Sequence, residues 1–585
     1  MRENAKYLWL GILLLFFGSF LFYFISQAFY FDDFGNLKTF SWTLNSDWMM
    51  HMAQVQAFEK LSFVDVMLNN PIYSGEVLAY PFFVNWFSGI ILYITDKIVF
   101  SMLFPVYLGT VLFLSGIYFL TYQLTKNVYV AFLTPIIFFF LAGFQAYFTL
   151  QEYNLFSNEW KVLADYEYDI HFLGKTVAEM GYIFNWKSFF LTTFIPQRSF
   201  IWGMGIGTFM LGFFVKAQNS ENYLKQNNVN KNFRKYLIYF LIGLGIGLLS
   251  FIHTHTFFYF FFLLFLLLLF SSVQNIVQKK IHLSFLENFK NYFFLGCGAV
   301  LSSSPFLYLL LQKQGKISAF SYFPFGENIT IFEYLLLNWG IVFILGLLLL
   351  IRPIYSIIIK NNTILYNFLL ASAVLLALFS VWQLQSNPWD NTKVHLWSGL
   401  FFSMSASIIF VYVWKKFGIF GKLYATILFT LSVLSGIIML WSGVNDTHYQ
   451  IFSAQEIADS KNIENIIQPD SLILTSDYFH HFISPLLSNP IFMGYRGWIG
   501  SYGMDWNRKV EIAKIIYSGG EYSGQYKQLE YQDVLKIIKH EKIEYIFVDN
   551  SASAEYKISI NHDFFHRYFH AVIKLKNGGV LYEII

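Results

Sequence analysis

The sequence is poor in cysteine and in charge, and each shortage excludes a class of protein. The single cysteine, Cys297, lies in an apolar run, so the chain has no intrachain disulfide framework and no cysteine-based metal site or redox pair. Charged residues make up 13% of the 585 residues, against about 25% in an average globular protein. The 39 lysines and arginines nearly balance the 36 acidic residues, which gives +3 and none of the basic field that a nucleic-acid binder needs.

The chain is instead rich in apolar residues, which make up 56% of it, with 70 phenylalanines among them. That composition leaves too little polar surface to cover several water-exposed domains. The sequence therefore predicts an integral membrane protein. It contains no Walker A, GxSxG or HExxH pattern and no repeat of solenoid period.

A membrane-spanning helix needs roughly 20 apolar residues, and runs of this kind recur up to about residue 441. The first, 8–28, is too long for a signal peptide and lacks a small-residue cleavage site, which predicts a retained span. The stretch 80–94 is short and interrupted by Pro81 and Asn85, which indicates an interfacial helix. The ten further predicted spans are 99–121, 128–147, 200–216, 236–251, 255–271, 292–311, 333–351, 362–381, 396–414 and 422–441.

The positive charges of the loops predict the orientation of these eleven spans. Short inner loops should hold most of the loop lysines and arginines. The eleven-span topology satisfies this rule when the N-terminus lies inside the cell. The residues in question are Lys225, Lys231, Arg234, Lys279, Lys280, Lys290, Arg352, Lys360, Lys415, Lys416 and Lys422. With twelve spans the same clusters would face outward. Eleven spans place every polar cluster with chemical character on the outer side.

The composition changes after Trp441, where charges become frequent and short apolar strands alternate with helical stretches. The predicted strands are 472–475, 545–548 and 580–584, with a helix at 533–540. We therefore predict two domains: a transmembrane catalytic domain, 1–444, whose first outer loop is 29–98, and an extracytoplasmic α/β domain, 445–585.

The first outer loop contains the strongest candidates for acid–base chemistry. A helical pattern begins near Asn45 with Ser46 as a candidate N-cap, and it places Asp47 and His51 on one helix face. A partly desolvated carboxylate beside a histidine suits proton abstraction from an acceptor hydroxyl. The alternative is that Asp47 is a helix N-terminal charge that interacts with the macrodipole. Asp32 and Asp33 are either ligands of a divalent cation or solvated interfacial charges.

Two further clusters stand at the outer ends of predicted spans. Gln197 and Arg198 precede the fourth span, where an arginine is either a phosphate ligand or a snorkelling interfacial anchor. His253 and His255 lie in a turn between spans. They suit hydrogen bonding to phosphate or sugar hydroxyls, and the alternative is an ordinary polar turn.

The segment 387–397 precedes the tenth span and brings amide, acid, base and aromatic side chains together. Such a mixture is what sugar recognition uses, and Lys393 suits a phosphate; the alternative is an aromatic belt with a capping aspartate. The residues are Trp389, Asp390, Asn391, Lys393 and His395.

In the C-terminal domain, segment 494–509 is either a sugar-binding loop or a turn-rich connection. Its candidate residues for sugar or acceptor binding are Tyr495, Arg496, Trp498 and Arg508.

Taken together, these motifs resemble those of the GT-C superfamily of membrane glycosyltransferases. That superfamily includes protein O-mannosyltransferases, oligosaccharyltransferases and the aminoarabinose transferase of lipid A. The resemblance covers the whole chain and is strongest to a bacterial branch. It is carried by an Asp-x3-His (Asp47 and His51), a GxxLxYPF-like stretch (75–82), a PQR (196–198), the histidine turn (253–255), a WDN-x-K (389–393) and a late RGW…G…R (496–508).

The resemblance implies a polytopic helical GT-C-like fold and transfer of a sugar from a polyprenyl-phosphate donor, normally with inversion. It implies that a first-loop acid, Asp47 or Asp33, is the base, with His51 beside Asp47. It further implies that Arg198 and Lys393 meet the donor phosphate, and we group His253 and His255 with them. The expected partners are a lipid-linked donor, a glycan, lipid or protein acceptor and membrane lipids; beyond a candidate divalent cation no cofactor is expected.

Two other classes of function remain open on the sequence. A transporter or flippase of lipid-linked sugars should carry its functional polar residues near the bilayer midplane, often within repeats. If the protein were a non-catalytic membrane scaffold with an outer binding domain, Asp47, Arg198 and Lys393 would not share a common site. The glycosyltransferase hypothesis predicts a multi-pass protein of the cytoplasmic membrane that acts on the outer side of that membrane.

Overall fold

The fold is a large set of apolar helices followed by a small mixed sheet domain. It is given by a computed structural model, which describes residues 2–40, 42–144, 189–221, 229–277, 283–312, 321–322, 330–360, 362–384, 388–444, 448–522, 529–576 and 578–584. Up to residue 277 the helices are α1 (Arg2–Ile12), α2 (Ser19–Ser26), α3 (Trp42–Lys60), α4 (Phe63–Leu68), α5 (Phe83–Thr95), α6 (Ile98–Thr125), α7 (Val128–Phe139), α8 (Arg198–Glu221), α9 (Val229–Ile252) and α10 (Thr254–Val277). Two π-helical segments, Leu13–Gly18 and Phe190–Phe194, accompany them.

The remaining helices complete the membrane part and form the C-terminal domain. They are α11 (Leu283–Gln312), α12 (Ile331–Leu350), α13 (Arg352–Ile359), α14 (Thr363–Val381), α15 (Pro388–Lys416), α16 (Gly418–Val444), α17 (Ala454–Glu464), α18 (Ile483–Leu486), α19 (Arg496–Ser501), α20 (Asn507–Tyr517), α21 (Tyr531–His540), α22 (Asn550–Tyr556) and α23 (His562–Tyr568). The strands are β1 (Phe29–Phe31), β2 (Leu37–Thr39), β3 (Ser321–Tyr322), β4 (Trp382–Gln383), β5 (Tyr449–Phe452), β6 (Ile473–Leu474), β7 (Tyr545–Val548), β8 (His570–Lys574) and β9 (Val580–Glu583).

The apolar helices confirm a multi-pass membrane protein. Within the described residues, 10 helices are long and apolar enough to cross a membrane, beginning with Asn4–Ser26. The third predicted span, 128–147, is the one without a helix of that length: it corresponds to α7, which has 12 residues, and residues 145–147 lie outside the described part. The predicted interfacial helix is α5, which starts after Pro81 and is shorter than a span, at 13 residues.

The chain folds into two compact units that divide the sequence differently from the two predicted domains. One unit, here called the helical unit, comprises residues 1–28, 106–307 and 319–447. The other, called the loop–sheet unit, comprises 29–105, 308–318 and 448–585. The first outer loop thus packs with the C-terminal segment, although the sequence between them contains most of the spans.

Glycines allow the helices of the helical unit to approach one another closely. The helical unit contains α15, whose candidate span is 89% buried and which contacts α7, α12, α14 and α16. Gly340 interrupts α12 with φ 53° and ψ −131°, a conformation open to glycine alone. A Cβ at Gly340 would stand 3.1 Å from the backbone of Gly143, whose own φ is +62°. Two glycines at one contact therefore let α12 meet the segment that follows α7.

In the loop–sheet unit, segments from both ends of the sequence share sheets. The hairpin β1–β2 of the first loop pairs through β2 with β5, which follows the last span. Farther along, Tyr73 forms an isolated bridge with Met493. The second sheet has the order β6-β7-β9-β8, with β6 and β7 parallel and the other pairs antiparallel. This confirms the predicted small C-terminal α/β fold and adds β8 to the predicted strands.

A buried lysine forms hydrogen bonds to both the first loop and the C-terminal segment. Lys509 of α20 donates hydrogen bonds to the carbonyl and hydroxyl oxygens of Ser74, at 2.6 Å each, and to the carbonyl oxygen of Phe492 at 2.7 Å. Its Nζ also lies 4.0 Å from the ring centroid of Tyr73. Burial away from water lowers the pKa of Lys509 to about 7.

We expect the stability of the loop–sheet unit to rise with pH because of Lys509. Its pKa is about 7 in the folded chain and 10.5 in the unfolded chain, so between these values the unfolded state binds the extra proton and stability increases with pH. Thermal unfolding of the purified protein from pH 7 to 10 should show this rise. Lys509→Met should flatten it, and the control Lys514→Met, on the same helix, should keep it; an unchanged slope in Lys509→Met would contradict the assignment.

We expect Gly340→Ala to destabilise the helical unit by about 1–3 kcal/mol, the cost of holding a side chain in a forbidden backbone region. The measurement is the thermal midpoint of the protein in detergent. Gly296→Ala is the matched control because a Cβ there meets nothing within 4 Å. Equal midpoints for the two variants would show that the kink does not depend on glycine.

Candidate active site

The acid–base pair of the first loop lies on α3, in the loop–sheet unit. This helix begins at Trp42, so the prediction that Ser46 is its N-cap is wrong. Asp47 is the sixth residue of the helix and the first turn contains no acidic residue. The alternative role of Asp47 as a first-turn charge on the macrodipole is therefore not supported. Its side chain is half-buried, and His51, one turn on, is 4% exposed.

His51 contacts an amide of α5, and that amide is itself bonded to a second amide on α3. Its Nδ1 lies 3.0 Å from Nδ2 of Asn85 on α5, and that nitrogen donates to Oε1 of Gln54 at 2.6 Å. All three side chains are buried. A Cβ on Gly89, one turn after Asn85, would lie 2.7 Å from Cβ of Phe58, so Gly89 allows α5 to come this close to α3.

The C-terminal segment contributes aromatic and basic groups around the same helix. His480 places Nε2 3.3 Å from the carbonyl oxygen of Asn45, and burial lowers its pKa. The hydroxyl of Tyr502 donates to the sulfur of Met50, and its ring centroid lies 4.8 Å from that of Tyr80. Sequence reasoning did not assign a role to Tyr502, Tyr80 or Asn85, because their proximity to α3 depends on the tertiary fold.

Asp32 and Asp33 occupy the turn between β1 and β2. Asp32 accepts hydrogen bonds from the backbone of Phe34 and Asn36 and pairs with Lys38 at 2.8 Å. The ammonium of Lys38 holds the pKa of Asp32 well below its usual value. Asp33 is exposed. No group of three or more metal-ligand side chains occurs in the described ranges, and a divalent cation at this turn stays a prediction.

The candidate sugar-binding residues of 494–509 have mixed surroundings. Arg496 pairs with the fully buried carboxylate of Asp477 and, at 3.4 Å, with Glu555. Burial raises the pKa of Asp477 to about 6. Tyr495 packs edge to face on Trp498, with ring centroids 5.5 Å apart, and Trp498 is buried. Arg508 is exposed and forms an ion pair with Glu541. Ion pairs at the surface contribute little to the stability of the fold.

The candidate phosphate ligands belong to the helical unit. Arg198 is the first residue of α8 and has 0% exposure, so it is not a snorkelling anchor at the surface. His253 is 3% exposed, in the break between α9 and α10. Phe200 packs edge to face on its ring at 5.2 Å, and a Cβ at Gly203 would lie 2.7 Å from Cβ of His253. The start of α8 therefore packs directly on the histidine turn.

The hydrogen bonds of His253 determine which of its nitrogens carries the proton. The backbone N–H of Thr256 donates to Nδ1 at 3.2 Å, and Oγ1 of Thr256 lies 2.8 Å from the same atom. The indole N–H of Trp397 donates to that hydroxyl oxygen at 2.9 Å, so the hydroxyl proton is directed to Nδ1. Neutral His253 therefore has its proton on Nε2, and this atom has no hydrogen-bond partner among the described residues.

The segment before the tenth span lies at the same histidine turn. The charges of Lys393 and Asp390 act electrostatically on His255. Lys393 and Asp390 form an ion pair at 2.5 Å. Oε1 of Gln197, at the start of α8, is buried without a hydrogen-bond partner in the part of the chain that the structure describes. The sequence-predicted residues of the helical unit are thus gathered at the beginnings of α8, α10 and α15.

Two residues of this segment support the backbone. Asn391 donates to the carbonyl oxygens of Phe379 and Trp382 and accepts from the N–H of Leu384. His395 contacts the carbonyl oxygen of Phe379 through Nε2 at 3.0 Å. Both therefore stabilise the end of α14. Trp389 lies in the first turn of α15, and its side chain falls outside the described part of the structure.

The chain matches no protein-family model and no curated protein by sequence, but it matches solved structures. The apo oligosaccharyltransferase of Archaeoglobus fulgidus aligns over 100% of this chain and 74% of its own, at 12% identity and a TM-score of 0.52. The same enzyme tethered to an acceptor peptide aligns at 11% identity and a TM-score of 0.49, with the same coverage. ArnT of Cupriavidus metallidurans bound to undecaprenyl phosphate aligns over 92% of this chain and 97% of its own, at 8% identity and a TM-score of 0.40.

At such identities the likeness concerns the fold, and it agrees with the ten apolar helices and the small C-terminal sheet. The chain has a GT-C-like membrane fold.

Proposed function

We propose that this protein is a GT-C-type glycosyltransferase that moves a sugar from a polyprenyl-phosphate-linked donor to an acceptor. The observation that carries the proposal is His253, which is buried against the start of α8 and whose Nε2–H has no partner among the described residues. Arg198, also buried, is the first residue of that helix. Guanidinium and N–H groups are the donors that bind phosphate oxygens.

The histidine turn favours an anion further. The beginnings of α8, α10 and α15 come together around it, and helix N-termini stabilise negative charge. Lys393 adds a cation within electrostatic range of both histidines, although Asp390 neutralises part of its charge. His253 offers a neutral donor to a phosphate oxygen. We therefore assign donor-phosphate binding to the helical unit through Arg198, His253, His255 and Lys393.

The loop–sheet unit supplies the group that takes the acceptor proton. Asp47 is half-buried on α3 beside His51, whereas Asp33 is exposed in a turn. The position of Asp47 within a packed helix holds its carboxylate in place for proton transfer, as an exposed turn does not. In the proposed reaction the acceptor oxygen forms a bond to the anomeric carbon, the acceptor proton passes to the base, and the bond from that carbon to the donor phosphate breaks with inversion.

The position of the polar residues distinguishes this function from transport. A transporter of lipid-linked sugars holds its substrate near the membrane midplane, in the middle of broken helices. Arg198 is the first residue of α8, His253 lies between α9 and α10, and Lys393 is in the first two turns of α15. Ligands at helix ends suit a donor whose head group stays at the membrane boundary.

The proposed location is the outer face of a cytoplasmic membrane. The lysine and arginine clusters of the short loops support an N-terminus inside and a C-terminal domain outside. A lipid-linked donor fits that side, where nucleotide sugars are absent. The sugar, and whether a glycan, a lipid or a protein accepts it, are open parts of the proposal.

We expect Asp47→Asn to abolish transfer without unfolding the protein, because the amide cannot accept the proton. Cells that produce only this variant should lack the envelope glycan, or accumulate the polyprenyl-linked sugar, as deletion of the protein does. Asp33→Asn is the matched control and should leave the glycan profile unchanged. Normal glycans from Asp47→Asn together with loss in Asp33→Asn would assign the base to Asp33.

We expect Arg198→Gln to weaken the binding of undecaprenyl phosphate at least about tenfold, since a charge-assisted contact contributes about 1.5–3 kcal/mol. Native mass spectrometry of the full-length protein with this lipid measures the retained fraction. Undecaprenol, which lacks the phosphate, tests whether the charge matters. The control is Arg352→Gln, because that arginine stacks on Tyr366 far along the sequence from the histidine turn. Equal retention by both variants would remove Arg198 from the donor site.

A further inference from the structure

His253 caps the helix that follows it. It immediately precedes α10, and its Nδ1 accepts from the backbone N–H of Thr256, the third residue of that helix, at 3.2 Å. This N–H is shared with the carbonyl oxygen of His253 at 3.1 Å. A side-chain acceptor just before a helix satisfies an N–H group that has no partner within the helix. The imidazole serves as this cap only while Nδ1 is unprotonated.

The hydroxyl group of Thr256 places a second donor on the same nitrogen. Oγ1 of Thr256 lies 2.8 Å from Nδ1 of His253 and 2.9 Å from the indole Nε1 of Trp397. The indole N–H can only donate, so the hydroxyl oxygen accepts from it and turns its own proton to Nδ1. With a proton on Nδ1, the hydroxyl would accept twice and have no acceptor for its own proton among the described residues. Nδ1–H would also face the backbone N–H of Thr256.

Helix α8 presses on this chain of bonds through two glycines one turn apart. A Cβ on Gly203 would lie 2.7 Å from Cβ of His253 and 3.2 Å from Oγ1 of Thr256. A Cβ on Gly207 would lie 3.0 Å from the ring of Trp397. Thr256 and Trp397 have 0% exposure and His253 has 3%. Bulk water therefore does not compete for these bonds, and the three side chains keep one arrangement.

We infer that Thr256, with its hydroxyl directed by Trp397, is a positioning residue that keeps His253 neutral, with Nδ1 as an acceptor and Nε2–H as a fixed donor. The imidazolium ion and the reversed tautomer both need a proton on Nδ1, where two donors already converge. The inference rests on the proposed function in one respect, which is that a phosphate oxygen of the donor accepts from Nε2–H.

A fixed neutral histidine narrows the class of donor that the site serves. Neutral imidazole does not release Nε2–H at physiological pH, so His253 donates a hydrogen bond and transfers no proton. The leaving group then departs as an anion whose charge this N–H stabilises. A phosphate leaves in that way, whereas the oxygen of a simple glycoside is protonated by a general acid as it leaves. His253 therefore suits a glycosyl phosphate ester.

The ¹⁵N spectrum of the full-length protein with labelled histidine tests the proton arrangement. His253 is assigned as the signal that disappears in His253→Gln. We expect the wild type at pH 7 to show a protonated Nε2 and an unprotonated Nδ1, and Thr256→Val to shift the Nδ1 signal because the hydroxyl proton is lost. Thr256→Ser should restore the wild-type signal. A protonated Nδ1 in the wild type, or an unshifted signal in Thr256→Val, would overturn the inference.

The matched control is Thr110→Val, which should leave the His253 signals in place. Thr110 is also 0% exposed, but its hydroxyl donates to the carbonyl oxygen of Val106 within α6, at 2.8 Å. An equal shift in both variants would show a general effect of losing a buried hydroxyl. Thr256→Ala removes the same hydroxyl and replaces Thr256→Val in these measurements if that variant unfolds.

Retention of undecaprenyl phosphate in native mass spectrometry tests whether Thr256 acts through His253. Thr256→Val should weaken retention about two- to tenfold, the range for one neutral hydrogen bond, and Thr256→Ser should restore it. In a His253→Gln background Thr256→Val should cause no further loss. Additive losses, or full retention in Thr256→Val, would overturn the positioning role.

The two measurements separate this inference from the proposed function. If the spectra behave as expected and the wild type does not retain the lipid, Thr256 still fixes the proton arrangement of His253 and the donor-phosphate assignment fails. If the wild type retains the lipid and the spectrum shows a protonated Nδ1, the proposed function stands and the role of Thr256 fails.

Discussion

The burial of Arg198 is the constraint on which the helical unit depends. A guanidinium cannot lose its proton at physiological pH, so a completely buried one demands negative or dipolar surroundings. Arg198 lies at the beginning of α8, whose first turns pack on His253 through Phe200 and Gly203. The wider apolar bundle excludes water, and the same exclusion strengthens any contact that a phosphate oxygen makes there.

Close helix contacts place these groups. Gly203 lets the start of α8 touch His253, and Thr256 links that histidine to Trp397 of α15. In the loop–sheet unit the same device operates through Gly89, which brings the amide of Asn85 to His51. In both units a small residue allows the approach and a hydrogen bond fixes the orientation of a histidine. The hydrogen bonds of His253 thereby define its proton arrangement before any substrate is bound.

The loop–sheet unit shows how the first loop is held in place without disulfides. Strand β2 of the first loop pairs with β5, and Lys509 joins Ser74 to the backbone of Phe492. Helix α3, which contains Asp47 and His51, therefore has support from both sequence ends. A catalytic group on a helix that is anchored in this way keeps its position better than one on a mobile loop.

The sequence by itself determined the class of the fold. Apolar runs of membrane length, a change of composition after Trp441 and alternating short strands are local patterns, and helices and strands follow from them. The sequence also indicated the candidate residues Asp47, His51, Arg198, His253 and Lys393, because such side chains are rare in an apolar chain. It placed Asp390 and Lys393 in one short segment, where their pairing at i, i+3 is a local event.

Only the tertiary structure decided what surrounds these residues. The pairing of the first loop with the C-terminal segment joins residues more than 400 positions apart, such as Tyr73 and Met493, and no local pattern encodes it. The hydrogen-bond partners of His51 and His253 depend on which helices become neighbours. The same is true of the hydrogen bond from Asn391 to the backbone of α14. Helix formation is governed by nearby residues, whereas the choice of neighbours is governed by packing over the whole chain, and that is why the chemistry could be indicated by the sequence but its geometry could not.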